Sequence, residues 1–238
     1  MSILTHLAAM IRQEVWSMHD FALQREVMIR EQLLPRGIRD ERVLDAMAAV
    51  PREAFVLPQD RFDAYRDGPL PIGCGQTISQ PLMVAEMLQA ARIGPGDRVL
   101  EVGAGSGYAA AVLAQIADKV FAIERQPDLT KHARDTLGQL GYTNIDLRTG
   151  DGSLGLPKAG PFNAIIVSAG GPAVPEALLQ QLAFAGRLVM PVGESPNEQE
   201  LVAVQRNGDN QFNWQTMGPV RFVPLVGSAG WETESIDD

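Results

Sequence analysis

The chain has 238 residues, 45% of them hydrophobic and 21% charged, the composition of a globular protein with one good core, and its formal net charge of −9 without a Lys/Arg-rich stripe disfavours nucleic acid as the main partner. The single cysteine, Cys74, excludes an intrachain disulfide, and His6, His19 and His132 lie in unrelated segments without metal-ligand spacing, so no metal is expected. No apolar run is long enough to cross a bilayer, and the N-terminus has neither a basic n-region nor a cleavage site, so a cytoplasmic protein away from the membrane is expected.

Residues 1–50 read as helices. Apolar residues recur at helical spacing in Ile3 to Trp16 and in Phe21 to Leu34, where Pro35-Arg36-Gly37 stops the run. Asp40 is placed as the N-cap of a helix from Glu41 to Val50. Residues 51–80 carry many Pro and Gly without periodicity and read as a long irregular stretch, and long loops of this kind are usually functional or mobile. Pro81 opens a helix that continues through Leu82 to Ala91.

From Arg98 the pattern alternates. Strands are expected at Arg98 to Val102, Lys119 to Glu124, Asn144 to Arg148, Ala164 to Val167 and Arg187 to Met190. Helices are expected at Tyr108 to Ala117, Asp128 to Leu140 and Pro175 to Ala183. Alternation of this kind implies a parallel sheet with right-handed crossovers. Glu200 to Gln205 and Gln211 to Phe222, joined by Asn207-Gly208-Asp209-Asn210, read as a hairpin, so at least one strand there runs antiparallel. The whole predicts a seven-stranded, mostly parallel, doubly wound α/β sheet. The acidic tail Thr233 to Asp238 is expected to fray.

The sharpest local signal is Glu101-Val102-Gly103-Ala104-Gly105-Ser106-Gly107 between a strand and a helix. Glycines there let a ligand approach the backbone, and the helix start offers free N–H groups. The spacing is G-x-G-x-G, because Tyr108 stands where a dinucleotide fingerprint has its third glycine. Glu101, two residues earlier, suits a cationic sulfonium and an amino group better than a pyrophosphate. Glu124 ends the next strand, where an acidic residue binds a ribose diol; a plain surface carboxylate is the alternative. Gly150-Asp151-Gly152 follows the third strand. Asp151 can accept from an adenine amino group there, or the segment is a simple turn.

Beyond these motifs the chain resembles the protein-L-isoaspartate O-methyltransferase family over roughly residues 25 to 231. The likeness runs through Arg30 to Ile38, Asp40 to Leu44 and Val50 to Val56. It is most specific at Pro71-Ile72-Gly73-Cys74-Gly75-Gln76-Thr77-Ile78-Ser79-Gln80-Pro81, and it closes with Gly186 to Gly193 and Val220 to Leu225. The resemblance implies a Rossmann-like class I methyltransferase fold, with residues 1–80 as N-terminal helices and substrate loop and 81–238 as the cofactor-binding core, integrated into one catalytic domain. It implies S-adenosyl-L-methionine as cofactor, S-adenosyl-L-homocysteine as its product, and isoaspartyl-containing proteins and peptides as partners of a monomer or weak homo-oligomer. The methyl ester then cyclises to a succinimide outside the enzyme, which is the repair step; D-aspartyl residues are a further candidate substrate.

The resemblance also assigns residues. Ser79 takes the position of the active-site serine, with Thr77 and Ile78 beside the substrate. Pro81 to Val84, Met83 among them, lie beside the methionine part of the cofactor. Val223, Pro224 and Leu225 are expected to bind an extended peptide. Leu82 departs from the family, which often has an aromatic residue or histidine there, and it leaves open a same-fold O-methyltransferase acting on a small molecule. A non-enzymatic nucleotide-binding protein of the Rossmann class is the remaining alternative.

The nucleophile the resemblance implies, an α-carboxylate, is ionised at neutral pH, so no general base is needed. No histidine stands between Gly73 and Pro81. Neutral hydroxyls at Ser79 and Thr77 can orient a carboxylate without quenching it. Ser79 is therefore read as a positioning group, although a serine just before Pro81 also fits a helix N-cap. Cys74 has no basic partner nearby and is read as a small space-filling residue.

Overall fold

A computed structural model describes residues 20–232. The expected first helix, Ile3 to Trp16, and the acidic tail lie outside the described residues. Helix α1 spans Phe21–Val27 and is capped by Asp20, which accepts from the Leu23 amide at 3.1 Å. It widens into a π-turn over Met28–Leu33 and tightens into a 3₁₀ turn over Leu34–Arg36. Gly37, at φ 92°, closes it, its amide donating a hydrogen bond to the Leu34 carbonyl at 3.2 Å. Helix α2, Glu41–Ala49, has the expected cap, with Asp40 accepting from the Arg42 amide at 3.1 Å.

The stretch 51–80 is more ordered than its composition suggests. It contains 3₁₀ turns over Arg52–Ala54 and Pro58–Asp63, then a small hairpin of β1, Leu70–Gly73, and β2, Gln76–Ile78. Gly73, Cys74 and Gly75 all take positive φ at its tip. Cys74 is exposed there, so it fills no interior space, contrary to expectation.

Helix α3, Pro81–Ala91, leads into the alternating core. Its strands are β3, Arg98–Val102; β4, Lys119–Glu124; β5, Ile145–Thr149; β6, Phe162–Val167; and β7, Leu182–Ser195. Helices α4, Tyr108–Ile116, and α5, Pro127–Gln139, follow β3 and β4. A long hairpin of β8, Glu198–Gly208, and β9, Gln211–Val220, turns at Asp209-Asn210 as expected. All but the first two strands form one sheet in the order β5-β4-β3-β6-β7-β8-β9. Pairs among β3 to β7 are parallel, and β8 runs antiparallel to both β7 and β9.

The period-2 alternation of the strands divides the core. Val99, Val120, Ala122, Ala164, Ile166 and Val189 face one cluster, which also holds residues of α2 to α5 and of the segment Met28 to Ile78. Leu100, Val102, Ile123, Ile165, Val167 and Leu188 face the other. That second face is covered by one short helix, α6, Glu176–Leu179, and by loops. The expected helix from Pro175 to Ala183 is thus cut to one turn. Gln181 ends it: its amide donates to the Ala177 and Leu154 carbonyls and accepts from the Leu156 amide, while Leu182 pairs with Phe162 in the sheet. No helix among the described residues is long and apolar enough to cross a membrane.

Candidate active site

β3 and β6 are neighbours, yet the chain leaves β3 toward β4 and β5 on one side and leaves β6 toward β7 on the other. A crevice opens at such a switch point, beyond the carboxyl ends of the strands. Here it is a cleft with about 980 Å³ of empty space, part of it open to solvent. Its walls are the glycine-rich loop, the β2 end with Ser79, one face of α3, residues 123–126 and the segment 223–226.

The glycine-rich loop is built on backbone conformations that side chains resist: φ is 84° at Gly103, 53° at Gly105 and 87° at Gly107. Gly103 and Gly105 line the cleft. Gly107 faces away from it, and a Cβ there would meet Ala133 Cβ at 3.2 Å, so it lets α4 pack on α5.

Glu124 is held by the loop it serves. Its two carboxylate oxygens accept from the Gly105 and Gln126 amides, each at 2.8 Å. Each oxygen keeps a second lone-pair site for a hydroxyl donor in the cleft. Glu101 is the opposite case. It is 1% exposed, and neither of its oxygens has a partner. Burial, and secondly the nearby Glu124 charge, push its pKa well above the usual carboxylate range. A buried, unpaired carboxylate at the floor of a cleft fits a ligand bearing an amino or sulfonium cation.

This has a consequence for stability without ligand. Glu101 keeps its proton in the folded state at pH values where the unfolded chain has released it. Stability is therefore full below the ordinary Glu pKa and is lost as pH rises toward the raised folded pKa. Glu101→Gln is expected to abolish that loss, raising Tm at neutral pH by about 2–4 °C per kcal/mol relieved. Scanning calorimetry at pH 5 and pH 8 checks it; a Tm difference between the two proteins that does not change with pH contradicts it.

Asp151 lies outside this lining. It borders an adjoining cleft with Arg125, Ser228 and Trp231. Its carboxylate accepts from the Ser153 amide and hydroxyl and from the Ser228 amide at 2.7 Å. Burial works to raise its pKa, but these bonds outweigh it and hold the group below its usual value. Asp151 thus ties down the segment after Leu225. Gly152 does line the main cleft, and a Cβ on it would fall 2.5 Å from Val102 Cγ1.

The wall at 223–226 is fixed from several sides. Gly170 donates to the Val223 carbonyl at 2.8 Å and accepts from the Leu225 amide at 2.7 Å. The buried Gln199 side chain pairs with both backbone groups of Phe222, at 2.9 and 3.1 Å. Trp231 Nε1 donates to the Gly170 carbonyl. Val223 and Leu225 therefore reach the cleft on a braced strap.

Thr77, Ile78 and Ser79 stand on the side of the hairpin and line the same cleft as the glycine-rich loop. The N-cap of α3 is Gln80, without a side-chain cap bond, so the helix-cap alternative for Ser79 does not apply. Neither Pro81 nor Met83 lines the cleft. Val84, Met87 and Leu88 do, at the i, i+3, i+4 spacing of one helix face. That periodicity was the available signal for Met87 and Leu88. Leu82 is 7% exposed, packs in the first core cluster and does not line the cleft.

Arg52 lies in the Val50 to Val56 stretch of the resemblance, but nothing there signalled its burial. A Pro-Arg-Glu string reads as a solvated turn, yet Arg52 is fully buried behind Ser79. Its Nη2 donates to the Ser79 carbonyl at 2.7 Å and its Nε to the Ala64 carbonyl at 2.7 Å. The guanidinium lies 4.8 Å from the centre of the Tyr108 ring, and Tyr108 lines the cleft at the start of α4.

Comparison with known proteins settles the family. The model of the protein-L-isoaspartate(D-aspartate) O-methyltransferase family matches residues 24–230. The chain belongs to this family. Among relatives, it is 54% identical to protein-L-isoaspartate O-methyltransferase 2 of Marinobacter nauticus, over 87% of this chain and 94% of that one. It is 56% identical to protein-L-isoaspartate O-methyltransferase of Methylorubrum extorquens, over 89% and 92% of the two chains. Two solved structures share its architecture at 27% identity. One is a protein-L-isoaspartate O-methyltransferase with TM-score 0.77, covering 87% of this chain and 67% of that chain. The other, from Plasmodium falciparum, is described under the same activity in complex with S-adenosyl-L-homocysteine; its TM-score is 0.73 and the coverage 85% and 98%. The protein-L-isoaspartate(D-aspartate) O-methyltransferase match thus takes in the hairpin, the glycine-rich loop and the 223–226 strap together.

Proposed function

We propose that this protein transfers a methyl group from S-adenosylmethionine to the free α-carboxylate of isoaspartyl residues in damaged proteins, the step that opens their repair through a succinimide. The observation that supports the reading is a shared lining: Ser79, Gly103, Gly105, Glu101 and Glu124 border one cleft, in a chain whose family match spans all of them.

The residues present fit the cofactor. Glu101 offers an unpaired buried carboxylate to a cation, Glu124 two preset acceptors to a ribose diol, and Val84, Met87 and Leu88 an apolar wall. Bound there, S-adenosylmethionine supplies an electrophilic methyl group. The protein's own task is to bring an already ionised carboxylate into line and to strip water from it. The hydroxyls of Ser79 and Thr77 are neutral donors that fix its direction while leaving its charge on the reacting oxygen. The Val223 to Leu225 strap supports an extended peptide.

Tritium transfer from labelled S-adenosylmethionine tests this, with an isoaspartyl peptide and its normal aspartyl twin. Label is expected in the first alone. Equal labelling of both, or none in either, rejects the proposal.

A further inference from the structure

Arg52 is the one Lys or Arg among the described residues whose side chain is buried. It is 0% exposed, its hydrogen bonds go to carbonyl oxygens rather than to a carboxylate, and Nη1 has no partner. A buried cation so placed carries a desolvation cost that no carboxylate offsets, so charge pairing does not account for it.

What an apolar residue cannot do is hold the carbonyls. Ser79 stands between the last residue of β2 and the Gln80 cap of α3, outside both ladders. The guanidinium fixes its carbonyl from behind, at 2.7 Å. The same planar group fixes the Ala64 carbonyl and lies on the Tyr108 ring, the first residue after Gly107. Tyr65 adds a further tie: its hydroxyl accepts from the Arg52 amide at 3.2 Å and donates to Glu53, which faces Arg25 at 3.8 Å. One rigid fork thus joins the wall that carries Ser79 to the wall that carries the glycine-rich loop.

We infer that Arg52 is a positioning residue that sets the orientation of Ser79 relative to the glycine-rich loop, an inference that rests on the proposed role of Ser79. Lys cannot substitute fully, because a point charge on a flexible stem cannot hold two carbonyls and a ring at fixed angles.

The test compares wild type, Arg52→Met and Arg52→Lys. It reads kcat and KM for the isoaspartyl peptide, the Kd of S-adenosylhomocysteine by calorimetry, and Tm. For Arg52→Met, kcat is expected to fall roughly 10²-fold, with Kd and KM within about threefold and Tm lowered by the unpaired Ser79 and Ala64 carbonyls. Arg52→Lys is expected to recover part of kcat. A wild-type kcat in Arg52→Met overturns the inference, as does a loss of kcat matched by an equal loss of S-adenosylhomocysteine affinity. If Arg52→Met does not fold, Arg52→Lys decides: kcat down about tenfold at unchanged Kd supports the inference, and wild-type kcat overturns it. A wild type that labels no isoaspartyl peptide instead overturns the proposed function, and the two failures are thereby told apart.

Discussion

Glu124→Ala is expected to weaken S-adenosylhomocysteine binding by about 10²–10⁴-fold, the largest effect of any single change considered for this protein. Both oxygens of Glu124 are already aimed, by the Gly105 amide on one side and the Gln126 amide on the other. A hydroxyl donor arriving in the cleft meets acceptors that need no reordering. Hydrogen bonds to a charged group contribute about 1.5–3 kcal/mol each, and two of them set the size of the expected loss. The substitution also releases the Gly105 amide, so the loop itself loses a tether. Glu124→Gln keeps the shape and loses the charge, and about a tenfold loss is expected for it. Calorimetric titration measures both. A dissociation constant within threefold of wild type for the alanine variant removes Glu124 from the cofactor site.

Ser79→Ala is expected to act on turnover instead. Loss of one donor to a carboxylate corresponds to roughly 10–100-fold in kcat for an isoaspartyl peptide. Affinity for S-adenosylhomocysteine should stay within about twofold, because Ser79 follows the hairpin whereas Glu101 and Glu124 belong to the core strands β3 and β4. Thr77 keeps its hydroxyl at the same edge, which is why residual activity is expected. Steady-state kinetics at saturating cofactor read the split. An unchanged kcat would leave Ser79 without a part in the reaction.

How much of this was readable before folding depends on how local each feature is. The strand, glycine-rich turn and helix from Arg98 to Ile116 are contiguous, and each piece was legible from its own residues. The place of Glu124 at the strand end beside the cleft was legible because the crossover fixes its distance along the chain from Gly103. Asp151 followed the same logic, but the structure turns its carboxylate toward Ser153 and Ser228. Nothing within a few residues of Gly150 announces a partner 77 positions away. The hairpin at 70–78 had no alternation to betray it, since its turn uses positive φ at three successive residues.

The alternation of strands and helices, the edge of the sheet where the cleft opens and the position of the glycine-rich turn were readable from the residues alone, because these depend on side-chain periodicity and on contacts between near neighbours. Long-range packing was needed to show that α6 stops at Leu179 so that Leu182 can join the sheet, that Leu82 is core and not cleft wall, and that Arg52 is buried behind Ser79. Each of these turns on burial and on hydrogen bonds between segments far apart in the chain, and those free energies exceed the small local preferences that a sequence displays.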